Sequence, residues 1–134
     1  MALDQAVKKS VANIPECVAI GYVDMNTGML MSVQTVDSHP QEVLDLVAAA
    51  TADLFQGQSV TTIERLFRKS RGQQENGVHY FREIVVFSEN LLHLFIRSKK
   101  YPNQAAVFVC RATVNIGMAL TKSRLVAGEL EAAV

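Results

Sequence analysis

CRATVNIGMALTKSR, residues 110–124, directly follows the apolar run AAVFV at 105–109. A strand, a glycine at 117 and Lys122-Ser123 on a following helix is the order of a phosphate-binding loop. Counting rejects that reading. Aligned on Lys122-Ser123, the motif needs glycines at 116 and 121; the chain has Ile116 and Thr121 there. One glycine also cannot build the nest of backbone N–H groups that cradles phosphate. Periodicity agrees: Ile116, Leu120, Ala127, Leu130 and Val134 fall on one helical face, with Val114, Met118 and Leu125 beside it. The helix, expected from about Thr113, is already under way at Gly117, so Lys122 lies well past the first turn, where an anion would sit. Glycine inside a helix costs roughly 1 kcal/mol relative to alanine. Gly117 and Gly128 are therefore expected to mark close approach of this helix to a strand.

Working outward from this segment, QAAVFVC (104–110) and CVAIGYVD (17–24) are apolar at nearly every position. Such strands are covered on both faces and belong at the centre of a sheet. MNTG (25–28) has turn chemistry and leads into a returning strand, MLMSVQTV (29–36). VHYFREIVVFS (78–88) turns at Glu89-Asn90 into LLHLFIRS (91–98), which places His93 opposite Val86 and His79 well away from it.

The helices are read from period and caps. Leu3, Val7, Val11 and Ile14 make one stripe over 2–14, ended by Pro15. Ser38-His39-Pro40-Gln41 opens a second helix. Val43, Val47, Ala50 and Leu54 are its expected buried stripe; Leu44, Leu46 and Phe55 widen it beyond what one sheet face needs, and Gly57 stops it. Residues 58–70 read equally as helix or extended chain, and 71–77 as a loop. The order is α-β-β-α-β-β-β-α, an α+β chain with a five-stranded, mostly antiparallel sheet between helices, an α-β-α sandwich.

Composition narrows the function. A chain of 134 residues is read as one domain, 1–134. No apolar run is long enough to span a membrane, and MALDQAVKKSVANI lacks the apolar core of a secretion signal. Cys17 and Cys110 sit in apolar runs, as buried, inert thiols of a reducing, cytoplasmic compartment do. They are far apart in sequence and lack the further ligands of a zinc site. His39, His79 and His93 form no metal pair, and the acids are scattered. No catalytic residue, metal or cofactor is expected, and the chain is read as a non-enzyme.

Net charge is zero but unevenly spread: residues 1–53 carry seven acids and two bases, residues 64–124 eleven bases and four acids. Arg65, Arg68, Lys69 and Arg71 are candidate partner-docking residues. The neutral total and few aromatics argue against nucleic acid. Both faces of 78–88 are largely apolar, so as an edge it needs protection, and a second copy supplies it. The expected interface of an isologous dimer is Val43, Val47 and Leu54 with Tyr80, Arg82, Ile84 and Val86.

The element order and the final segment ATVNIGMALTKSRLVAGEL resemble the roadblock / dynein light chain family. There the last strand leads through an Asn-aliphatic-Gly turn into a helix bearing a basic residue and ending Ala-x-Glu-Leu. Asn115, Ile116, Gly117, Arg124, Ala127, Glu129 and Leu130 match that pattern, and VAIGYVDMNTGMLMSV resembles the first hairpin. The resemblance implies a fold related to profilin and longin domains, sheet order 2-1-5-4-3, and a dimer joined through the third strand and middle helix. It also implies regulation or scaffolding of a small Ras-like GTPase, and carries over no catalytic residue. Residues 57–77 depart from it, being longer and more basic than the usual link. The alternative is a profilin-like small-ligand sensor, for which Arg82, Glu83, Ser32 and Gln34 are the polar groups the strands offer.

Overall fold

The hairpin at 17–35 forms as its pattern predicts. In a computed structural model, β1 (Cys17–Asp24) and β2 (Met29–Thr35) pair antiparallel. The Gly28 N–H closes the turn on the Asp24 carbonyl at 2.8 Å. Gly28 has φ +70°, a conformation that only glycine adopts without cost. The structure describes residues 2–37, 41–72 and 79–134, with backbone alone at 41 and 42. The expected cap at Ser38 and most of the 71–77 loop lie outside the described residues.

β3 (Glu83–Phe87), β4 (Leu91–Arg97) and β5 (Gln104–Arg111) complete one antiparallel sheet of order β2-β1-β5-β4-β3. The two apolar strands, β1 and β5, lie inside it as expected. Val86 faces His93 across β3 and β4, the register set by a turn at Glu89-Asn90. β3 is shorter than the stretch 78–88: Tyr80 and Arg82 precede it, although the Arg82 carbonyl still accepts the Arg97 N–H at 2.8 Å.

Among the described residues four α-helices flank the sheet. α1 (Ala2–Ser10) passes into a 3-10 turn at Val11–Asn13, so the helix expected over 2–14 is split. α2 (Gln41–Gln56) ends at Gly57, and α3 (Gln58–Ser70) begins one residue later. A Cβ on Gly57 would lie 2.6 Å from the Asp53 carbonyl oxygen, so the junction requires glycine. The ambiguous 58–70 is thus helical.

α1 and α4 (Ile116–Ala132) cover one face. There Leu3, Val7, Tyr22, Leu94, Phe108 and Leu130 build the larger core. α2 covers part of the other, where Phe55 and Ala48 meet Val23, Phe95 and Val107 in a smaller core.

Two helices bury a different stripe from the one their spacing suggests. On α2 the buried residues are Ala48, Thr51 and Phe55, whereas Val43, Val47, Ala50 and Leu54 face outward. Phe55, the largest side chain, takes the core position, and Thr51 is tolerated inside because its hydroxyl donates to the Val47 carbonyl at 2.8 Å. α4 starts at Ile116, with the Asn115 side chain accepting the Met118 N–H at 3.0 Å. Its buried side is Ala119, Ser123, Val126, Ala127 and Leu130, while Ile116, Met118 and Leu125 are exposed. The small residues at 119 and 123 permit close approach, not the glycines. A Cβ on Gly128 would meet nothing within 4 Å, and one on Gly117 only Asn115 Oδ1 at 3.4 Å.

Candidate functional site

The uncovered apolar surface is concentrated on the α2 side of the sheet. The outward stripe of α2 carries Val43, Leu46, Val47, Ala50 and Leu54, with Leu46 64% exposed. This helix is therefore apolar on two sides, where a monomer's surface helix has one. Beneath its N-terminal half runs a groove of about 810 Å³, floored by Ala19, Gly21, Val107 and Val109 and edged by Leu91 and His93. Burial draws the His93 imidazole below its ordinary pKa; its Nε2 lies 3.0 Å from the Ser88 hydroxyl.

β3 is the edge strand of the sheet, opposite β2. Ile84 and Val86 face the α2 side opposite Phe95 and His93. Val85 and Phe87 face the α4 side, where Phe87 is 64% exposed. Among the described residues the outer edge of β3 pairs with no strand.

The α2–α3 corner is fastened by a buried cation. Arg97 donates Nη2 to the Phe55 carbonyl and Nη1 to the Pro102 carbonyl, each at 2.9 Å, and Nε to the Phe81 carbonyl at 2.8 Å. Its guanidinium also lies 4.9 Å from the centre of the Phe55 ring. Burial lowers the Arg97 pKa from its ordinary value, yet a cation suits the carbonyl end of α2.

α3 is amphipathic in the reverse sense. Its inward side is polar: buried Glu64 accepts from His79 Nδ1 at 2.8 Å and from the Tyr80 N–H at 2.5 Å. Buried Arg68 lies 4.7 Å from the Tyr80 ring centre. Its outward side carries Ile63, Leu66 and Phe67, with Leu66 57% exposed.

Solved structures share this architecture. An MglB structure with a tetrameric arrangement superposes with a TM-score of 0.71, at 15% identity, covering 98% of this chain and 90% of that one. The gliding protein MglB from Thermus thermophilus gives 0.68 at 14% identity, over 96% of this chain and 85% of its own. A Roadblock/LC7 domain from Streptomyces avermitilis gives 0.66 at 12% identity, over 96% and 93%. This is the roadblock fold. No protein-family model and no curated protein matches the sequence itself.

In this roadblock fold the residues expected at a dimer interface divide. Val43, Val47 and Leu54 are exposed on α2, and Ile84 and Val86 lie on β3. Arg82 is exposed just before β3, but Tyr80 is held against α3 between Phe67 and Arg68. Of the candidate docking cations, Arg65, Lys69 and Arg71 are exposed. Arg68, by contrast, is buried against Tyr80 on the polar inward side of α3.

None of Arg82, Glu83, Ser32 and Gln34 lines the groove. Ser32 donates to Asp4 Oδ1 at 2.5 Å, and Glu83 is bound to Arg124. Sequence reasoning missed the outward face of α3. Its spacing of Ile63, Leu66 and Phe67 was visible, but apolar spacing is silent about which side meets the protein.

No described helix is long and apolar enough to cross a membrane. The described residues contain no group of three potential metal ligands.

Proposed function

We propose that this roadblock-fold chain is a non-catalytic module that pairs with a second copy and, so assembled, regulates or scaffolds a small Ras-like GTPase or a larger complex. One observation carries the reading: α2 presents a second apolar stripe, Val43, Leu46, Val47, Ala50 and Leu54, and among the described residues the outer edge of β3 is unpaired. Edge strands are aggregation templates unless covered. Pairing β3 with its symmetry mate covers the edge, and packing α2 on α2 buries the stripe. The tetrameric arrangement of an MglB structure with the same fold supports self-association. Exposed Arg65, Lys69 and Arg71, beside Ile63, Leu66 and Phe67, suit an acidic partner surface with an apolar centre. The two free thiols fit a cytoplasmic setting.

A second reading has its own support. The groove of about 810 Å³ lies within the range of small-molecule sites, roughly 300–1,000 Å³. His93 and Arg111 supply polar groups at its rim. A ligand held there instead of a partner's helix makes the chain a sensor.

Co-purification of the tagged chain from its native host separates the two. The interaction reading expects a small GTPase retained in a nucleotide-dependent manner, and lost when Arg65, Lys69 and Arg71 are reversed to glutamate. Retention of a small molecule, with no GTPase in either nucleotide state, favours the sensor.

A further inference from the structure

We infer that Cys17 and Cys110 form a cross-strand dithiol site that closes reversibly to an intrachain disulfide with a low-molecular-weight disulfide as oxidant. The two cysteines are 93 positions apart in sequence, yet they are direct partners where β1 begins and β5 ends.

The register determines whether a bond can span them. In the neighbouring pair, the Arg111 N–H donates to the Glu16 carbonyl at 3.1 Å. Antiparallel pairs alternate between hydrogen-bonded and non-hydrogen-bonded, so Cys17 and Cys110 are a non-hydrogen-bonded pair. In such pairs the Cα atoms approach to about 4.5 Å and the side chains are closest. A disulfide spans Cα separations of about 4.4–6.8 Å. Both side chains point to the same face, the core under α1 and α4, and the Cys17 S–H rests on the Ala19 carbonyl of its own strand at 3.4 Å. Both are free thiols, so the site is preformed and open.

Local backbone holds this geometry. Glu16 has φ +51°, the one non-glycine residue with positive φ among the described residues. Its carboxylate accepts from the Thr113 hydroxyl at 2.6 Å, fixing the entry to β1 against the exit from β5. The register slips between Cys17 and Ala19, leaving Val18 as a bulge. The bond therefore lies at the end of the ladder, where the strands tolerate adjustment.

Access is ordered. Cys110 is 0% exposed, whereas Cys17 is half-buried. The neighbouring Cys110 thiol and burial push up the pKa of Cys17, so the neutral thiol is its resting form.

The Cys17 thiolate attacks one sulfur of the external disulfide and expels the first thiolate, leaving a mixed disulfide. The Cys110 sulfur, as thiolate, then attacks the Cys17 sulfur and expels the second. The two cysteines lose two electrons and two protons, and the oxidant becomes two thiols. Val18, Ala19, Arg111, Ala112 and Thr113, which flank the pair, line the groove on the opposite face, so the bond clamps the groove's end.

The test uses the full chain, reduced, freed of reductant and treated with oxidised glutathione at neutral pH, then alkylated in denaturant and weighed. The expected product is a monomer lighter by two hydrogen atoms, with no alkylated cysteine and a Cys17–Cys110 linked peptide, restored by dithiothreitol. Cys110→Ser is expected to stall with one glutathione on Cys17, and Cys17→Ser to remain unmodified while folded. Three results overturn the inference: both thiols untouched in the folded chain, a persistent glutathione adduct on the unsubstituted chain, or only interchain disulfides.

Discussion

Arg124 grips Glu83 in a two-pronged ion pair, Nη2 to Oε1 at 2.7 Å and Nε to Oε2 at 2.8 Å, and so ties α4 to the edge strand β3. The hydrogen bonds from Arg124 hold the Glu83 carboxyl below its ordinary pKa. A depressed acid contributes stability that is present above its unfolded value and lost as pH falls through the folded one. The pair is solvent-exposed, so its share of global stability is small. The effect is expected locally. Glu83→Gln at neutral pH, or acidification below about 4.5, raises amide hydrogen exchange in β3 while β1 and β5 stay protected.

Removing the buried cation at the α2 corner has a larger cost. Arg97→Met leaves the carbonyls of Phe55, Phe81 and Pro102 without their donor. Each buried unpaired group costs about 1–3 kcal/mol, so a loss of about 3 kcal/mol in urea unfolding is expected. Arg97→Lys retains the charge but not the forked donors, and is expected to recover only part of it.

The glycines divide by what surrounds them. Gly57→Ala drives a Cβ against the Asp53 carbonyl and is expected to destabilise by about 1–3 kcal/mol. Gly128→Ala adds a methyl to open space on a helix and is expected to stabilise by up to about 1 kcal/mol. Thermal unfolding of the two variants tests both signs.

His93 predicts a pH response at the groove. Its folded pKa is lowered by burial, so folded protein resists protonation there. The stability it confers is complete above about 6.5 and declines as pH falls below that value. If a partner's α2 covers the groove, the same proton opposes assembly. Dimer dissociation is then expected to steepen on acidification from pH 7, and His93→Gln to flatten the dependence, read by sedimentation across the pH range.

The strands were legible because their signals are local. Continuous apolarity placed β1 and β5 inside the sheet, and the turn at Glu89-Asn90 fixed Val86 against His93. The helix faces were less so. α2 is apolar on two sides, and only the size of Phe55 and the self-satisfied hydroxyl of Thr51 settle which side is buried. On α4, Ala119 and Ser123 make the close contact that Gly117 and Gly128 were expected to make. A small residue permits approach without demanding it, so composition does not reveal which one is used. The meeting of Cys17 and Cys110 was within reach: two central antiparallel strands, one opening on a cysteine and one closing on a cysteine, bring them together.

The central claim is that the outward stripe of α2 and the edge of β3 are covered by a second copy. Light scattering on the purified chain at micromolar concentration tests it most directly. The predicted mass is twice the 14.7 kDa of one chain, falling to a single chain in Leu46→Asp with the fold retained by circular dichroism. A single-chain mass for the unsubstituted protein contradicts the account.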